Sequence, residues 1–250
     1  MLQGVSEPNL MTACAAMSEA VASFHVVRQH AVRIPIVLAR LGLDRRPLAA
    51  TAGLRFARLM GTGRGRTTSL SADLARTAMF AVWDDADALD GFMRASPIAA
   101  RWRANGEHYA VRLRLVAGGG RWAGVEPLSA MAPIGEHVGP LAVLTRANVH
   151  VRAWPAFLAA GRTVSDAAVH ADGLLAIAGV GEAPLGRQAT FSLWRDAPAI
   201  DAFAYGDTDH VAVMRRTRAG NWYGDELFAR FAPETIEGTW DGVDPLATGN

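Results

Sequence analysis

The chain carries one segment twice, and this duplication constrains its fold more than any other feature. Displacing the sequence by 111 positions lays Arg76–Phe92 over Arg187–Phe203. Nine of the seventeen pairs are identical: Arg76/Arg187, Ala78/Ala189, Phe80/Phe191, Trp83/Trp194, Asp85/Asp196, Ala86/Ala197, Ala88/Ala199, Asp90/Asp201 and Phe92/Phe203. Unrelated segments of this length would match at about one position. Further on, Gly120-Arg121-Trp122-Ala123-Gly124 answers Gly238-Thr239-Trp240-Asp241-Gly242. Upstream, Gly53-Leu54 answers Gly173-Leu174, and Phe24–His30 answers Leu141–Asn148. So long a period marks a domain duplication, not a solenoid.

Each half reads β-α-β-β-α-β. In the second, Leu141–Val151 is a predicted strand, Trp154–Ala168 a helix and Leu174–Val180 a short apolar strand. The glycine-containing link Gly181–Gly186 leads to the strand Gln188–Trp194. Asp196 then caps a helix through Tyr205, with Pro198 in its first turn. A second helical piece is expected from Thr208 to Arg218, and Ser96-Pro97 makes the matching restart in the first half. This order is the ferredoxin-like split βαβ unit. The expected fold is α+β, two tandem ferredoxin-like units fused as a dimeric α+β barrel. Residues 1–22 form a loose extension, 23–126 the first repeat, 127–139 a linker, 140–242 the second repeat and 243–250 a tail.

Half of the 250 residues are hydrophobic, ample for a core, and the formal net charge is +1. That balance argues against a nucleic-acid surface, which needs a concentrated basic stripe. All 25 basic residues are arginine. The absence of lysine removes Schiff-base chemistry, a pyridoxal phosphate aldimine and a P-loop. With Cys14 as the single cysteine, an intrachain disulfide, an iron–sulfur cluster, a Cys-rich zinc site and c-type haem attachment are excluded. No apolar run reaches the roughly 18 residues needed to span a bilayer. Met11–Phe24 is apolar but lacks a basic leader, the first arginine being Arg28. A cytoplasmic location is expected.

Where duplicated units diverge, their roles have parted. Thr77, Met79 and Ala81 in the first copy become Gln188, Thr190 and Ser192 in the second, which makes one strand face polar. A buried polar face is costly unless something uses it. On the following helix Ala99 is replaced by His210. Both changes fall in one α/β layer, as a pocket would require. The competing reading, a solvent-facing strand and an exposed helical histidine, carries comparable weight from the residues alone.

At these positions the chain resembles the spheroidene monooxygenase (acyclic carotenoid 2-ketolase) family. The resemblance rests on Ala202-Phe203-Ala204-Tyr205-Gly206, His210, Trp222-Tyr223 and Glu226-Leu227-Phe228-Ala229-Arg230-Phe231. Gly139–Arg146, Arg187–Trp194, Arg101-Trp102-Arg103 and Gly61-Thr62-Gly63 add to it, so that it covers residues 24–242. The family resemblance implies a haem-dependent oxygenase acting on a long apolar polyene. The barrel also resembles the dye-decolourising peroxidase, chlorite dismutase and aldoxime dehydratase group, in which a helix of the second unit supplies the proximal histidine. By that resemblance His210 is the axial ligand of a haem b iron. Met214, Thr217 and Phe203 would line the cofactor, and Arg146 and Arg187 are candidates for propionate or distal contacts. Gln188, Thr190 and Ser192 would face bound oxygen or substrate. Asp207, Asp209 and Glu226 are candidate partners for the second imidazole nitrogen.

The implied partners are an apolar small molecule, molecular oxygen and an external electron donor such as a reductase or ferredoxin, with peripheral membrane contact. A peroxidase or dehydratase of the same group, a cofactor-free monooxygenase and a non-catalytic binding module are the alternatives. Among weaker signals, His170-Ala171-Asp172 with His210 imitates the HxD…H triad of non-haem iron enzymes, although that triad belongs with a jelly roll. Gly61–Gly65 reads as a flexible link between two strands. Glu107-His108 and Glu136-His137 are expected on the surface.

Overall fold

The computed structural model describes residues 19–63, 72–104, 106–154, 170–182, 187–206 and 223–247. In the first half the strands are β1 (Val21–Gln29), β2 (Leu54–Gly63), β3 (Ala72–Trp83) and β4 (Gly106–Gly120). In the second they are β5 (Leu141–Val149), β6 (Leu174–Gly181), β7 (Arg187–Trp194) and β8 (Tyr223–Gly238). They close into a barrel in the order β1-β3-β2-β6-β7-β5-β8-β4. Each half contributes the same antiparallel sheet, β4-β1-β3-β2 and β8-β5-β7-β6, so the expected fused α+β barrel is what forms.

The two seams between the halves are unequal. β4 pairs with β8 from Tyr109/Gly238 to Gly120/Leu227. β2 meets β6 only at Gly61/Gly181 and Thr62/Val180. Gly61-Thr62-Gly63 is therefore strand and seam, which corrects its reading as a link between strands. Thr62 is buried, and its hydroxyl donates to the Arg76 carbonyl at 3.3 Å.

β1 shows why several strands read as unbroken apolar runs. Seven of its residues, Val21 to Val27, are buried, because one face lines the barrel and the other lies under helices. The interior face carries Phe24, Phe80, Val111, Leu144, Phe191 and Phe231. Phe24 stacks on Phe191 at 3.7 Å between centroids and Phe80 on Trp122 at 5.8 Å. The shared pairs Phe80/Phe191 and Trp122/Trp240 thus lie at the centre, where burial of each side chain contributes roughly 1.5–3 kcal/mol.

The outer face of the first sheet is covered by α1 (Ile34–Leu43), α2 (Arg45–Ala49), α3 (Ala86–Ala95) and α4 (Pro97–Ala104). Asp85 caps α3 by accepting from the Ala88 amide at 2.8 Å. The Ser96 hydroxyl accepts from the Ile98 amide at 3.1 Å, restarting the chain as α4 with proline first. In the second half Asp196 accepts from Ala199 at 2.8 Å and starts α5 (Ala197–Gly206). The expected helices at 154–168 and 208–218 lie largely or wholly outside the described residues.

The duplication extends to backbone conformation. Ala123-Gly124 and Asp241-Gly242 have φ of 53° and 81°, and 55° and 84°. Positive φ at both central residues is the type I′ turn, and each turn returns a buried tryptophan, Trp122 or Trp240, to the core. Residues 127–139 connect the halves, with Leu128 and Met131 set into the barrel core. No helix among the described residues is long and apolar enough to cross a membrane.

Candidate functional site

Strand register allows the outer faces of the two sheets to be compared residue by residue. Trp83 pairs with Val21 and Trp194 with Leu141. His25 then corresponds to Thr145, Thr77 to Gln188 and Met79 to Thr190. Leu59 corresponds to Gly179, Ala110 to Phe228 and His108 to Glu226.

In the first half this surface is filled. His25, Met79, Ala110 and His108 are buried under Phe92 and Trp102, with Trp102 at 5.3 Å from His25 and 5.7 Å from His108. In the second half bulk is lost at Gly179 and Thr190 and gained at Phe228, and Gly179 is buried. Thr145, Glu226 and Phe228 are exposed, and Gln188 and Thr190 are half-buried. Glycine at 179 and threonine at 190 stand where Leu59 and Met79 fill the first sheet. Gln188, Thr190 and Ser192 form a polar shelf along β7, an amide and hydroxyls spaced about 7 Å apart on one face of the strand.

Ser192 is buried on the same face and accepts from the Trp194 indole at 2.9 Å. The first half solves the same problem from the neighbouring strand, where Ser23 accepts from the Trp83 indole at 2.8 Å. Ser23 lies opposite Ala81, and Val143 opposite Ser192, so serine and its apolar partner have exchanged strands. Ser192 thus satisfies a buried N–H before it does anything else.

The remaining candidates do not all converge. Arg146 pairs with Ala189 and Leu227, which places it on the barrel-interior face, across the sheet from Gln188, Thr190 and Ser192. It is buried, donates to the Asp225 carbonyl at 3.1 Å and lies over Trp122 at 5.7 Å. Alternation thus separates it from the polar face, since adjacent residues point to opposite sides of the sheet. Phe203 packs on Trp194 at 5.3 Å, as Phe92 does on Trp83 at 5.1 Å, the shared packing role. Arg187 opens β7 opposite Asn148. His210, Met214, Thr217, Asp207 and Asp209 lie outside the described residues.

The HxD…H alternative finds no support in what is described. Asp172 is exposed and is held by Arg195 at 2.9 Å, whose hydrogen bond keeps its carboxyl below the usual range. Among the described residues no group of three or more His, Cys, Asp or Glu is placed to hold a metal. His137 is half-buried, with its ring nitrogen 3.0 Å from the Pro140 carbonyl.

His108 is a second correction, since it is buried and not on the surface. Its Nε2 lies 3.4 Å from His25 Nδ1, and His25 Nε2 is 2.9 Å from the Ser23 hydroxyl. The Trp83 indole donates to the Ser23 hydroxyl, and Ser23, His25 and His108 continue one chain of buried hydrogen-bond contacts. Burial holds His25 well below its ordinary value, and burial with the nearby Arg103 charge brings His108 down to about 4. Both rings are therefore neutral at pH 7. One hint of this is legible in the chain, a histidine inside the apolar run of β1.

No family model matches the chain. Spheroidene monooxygenase of Rhodobacter capsulatus is 34% identical over 223 residues, covering 86% of this chain and 90% of that protein. The chain belongs to the spheroidene monooxygenase family. The Rubrivivax gelatinosus spheroidene monooxygenase is 33% identical over 202 residues, 78% of this chain and 75% of its own. The expected family is thus confirmed, and with it an oxidoreductase of the monooxygenase type. Among solved structures, an aldoxime dehydratase in complex with butyraldoxime superposes with a TM-score of 0.58 at 10% identity, covering 91% of this chain and 85% of that one. A second aldoxime dehydratase gives 0.57 over 91% and 87%. At this identity the likeness concerns the fold.

Proposed function

We propose that this spheroidene monooxygenase family member is haem-dependent and oxygenates an apolar substrate such as an acyclic carotenoid, converting a C–H position to a ketone. The observation that carries the reading is the loss of side-chain bulk on the outer face of the second sheet, where Gly179 and Thr190 replace Leu59 and Met79. Ala99, the repeat counterpart of His210, is fully buried between α4 and the first sheet. That supports a place for His210 in the corresponding layer, where it would hold the iron of haem b. Haem, when bound, supplies oxygen activation. Gln188 and Thr190 orient oxygen or substrate by hydrogen bonding, and Phe228 offers an apolar edge to a polyene. Each turnover inserts one oxygen atom of O2 into a C–H bond. The other oxygen leaves as water, with two electrons and two protons from an external reductase or ferredoxin. Two rounds at one carbon give a gem-diol that loses water.

Protein produced with a haem precursor is expected to show a Soret band with stoichiometric haem. His210→Ala is expected to lower haem affinity by more than the roughly 10–100-fold associated with outer-shell partners, with unchanged circular dichroism. An unchanged spectrum in that variant removes the ligand assignment. A colourless wild type that takes up no hemin favours a cofactor-free monooxygenase or a binding module. Turnover of an acyclic carotenoid with reductant and oxygen, followed by product analysis, separates an oxygenase from a peroxidase driven by peroxide alone.

The shelf can be tested separately by restoring first-copy residues. Thr190→Met, alone and combined with Gly179→Leu, is expected to abolish haem uptake in protein whose circular dichroism shows a folded barrel. Full haem loading in the double variant would place the cofactor elsewhere.

A further inference from the structure

α1 is an unusual surface helix because its apolar residues point away from the protein. Of its ten residues only Val37 is buried. Val32 in the preceding turn is 86% exposed, Ile36 45% and Leu43 60%. With exposed Ala39 they are spaced by four, three and four residues, the repeat that aligns side chains along one helical stripe. Leu38, also exposed, lies beside it. Isolated exposed apolar residues are ordinary, but a contiguous stripe marks a contact surface.

The charges around the stripe have one sign. Arg33, Arg40, Arg45 and Arg46 fall within 31–50, where the only carboxylate is Asp44. That carboxylate is buried and already shared by two cations, Arg101 at 2.9 Å and Arg40 at 3.3 Å. Arg33, Arg45 and Arg46 are exposed. Next to the stripe, between α1–α2 and α3–α4, lies a groove of about 580 Å³ whose charged lining is Arg40, Arg101 and Asp44, one net positive charge.

We propose that this face of the first half docks on an anionic bilayer surface, with Val32, Ile36, Ala39 and Leu43 entering the acyl boundary and the arginines engaging lipid phosphates. Apolar side chains on one stripe with arginines at its flank match an interfacial helix. Charge complementarity selects the bilayer over a second copy of the chain. An isologous dimer through this face would set Arg33, Arg45 and Arg46 against their own images. The proposal does not depend on the haem reading, since it uses only residues of the first half.

Flotation of the full-length protein with vesicles tests it. Binding is expected with phosphatidylcholine containing about one-third phosphatidylglycerol, to weaken as salt is raised, and to be slight with phosphatidylcholine alone. Each of Arg33→Gln and Arg45→Gln is expected to lower the partition coefficient about fivefold, from roughly 1 kcal/mol per cation. Ile36→Gln/Leu43→Gln, at exposed positions that leave the fold intact, is expected to abolish flotation. Equal binding to neutral vesicles, no binding to either, or full binding by Ile36→Gln/Leu43→Gln would overturn the proposal. So would a wild-type dimer that Leu43→Gln converts to monomer, which would make the stripe a self-association surface.

Discussion

Alanine in place of Gly238 is expected to cost about 4 kcal/mol or more, the range reserved for a severe local defect, and to leave little folded protein at 37 °C. Gly238 ends β8 with φ +81°, and a Cβ there would lie 1.8 Å from the His108 carbonyl oxygen. The obstacle is backbone, paired in the long β4–β8 seam that joins the halves, so no side-chain rotation relieves it. Positive φ adds roughly 1–2 kcal/mol for an L-residue. Gly42→Ala is the control with the opposite sign. Gly42 lies in α1 with nothing within 4 Å of an added Cβ, and alanine there is expected to stabilise by about 0.5–1 kcal/mol. Urea midpoints of the two variants decide the matter. Near-wild-type stability of Gly238→Ala would mean that the seam is not paired in this register.

Acid is expected to weaken the fold well before the carboxylates titrate, and the source is the neutral His25–His108 pair. Both rings have folded values below the unfolded 6.5, because burial disfavours the imidazolium. Between the two values the unfolded chain binds more protons than the folded one. Stability is therefore fully present above about pH 6.5 and declines as pH falls toward 4. His108, down at about 4, contributes a loss of about 3 kcal/mol at the low end of that window. His25 adds to it in the same direction. Urea midpoints at pH 7.5, 6 and 4.5 should fall steeply in the wild type and much less in His25→Leu/His108→Leu, which removes both titrating rings. Parallel slopes for the two proteins would show that the pair is not held neutral.

The duplicated fold was legible because the residues that betray it are the ones the core cannot exchange. Phe80/Phe191 and Trp83/Trp194 match in sequence since each fills an equivalent buried place in its sheet. The closing seam was not legible. Gly61 and Gly63 signal a turn locally, whereas Gly61 and Thr62 are strand paired with β3 on one side and with β6, remote in the chain, on the other. At the site, the polar substitutions on β7 were legible as one face of the strand, across the sheet from the barrel interior. Arg146 shares its parity with Leu144 and Ala142, the pattern that sends it inside. Gly179 was overlooked because the loss of a side chain leaves no motif, and it becomes informative only once register sets it against Leu59.

Covalent fusion of the two sheets has a consequence for how such a barrel can evolve. In an assembly of identical subunits every mutation is made twice, so a residue removed to make room on one side is removed from the other as well. Here one side can be hollowed by Gly179 and Thr190 while its mirror keeps leucine and methionine as a solid buttress. A single gene thereby escapes the symmetry that the architecture would otherwise impose.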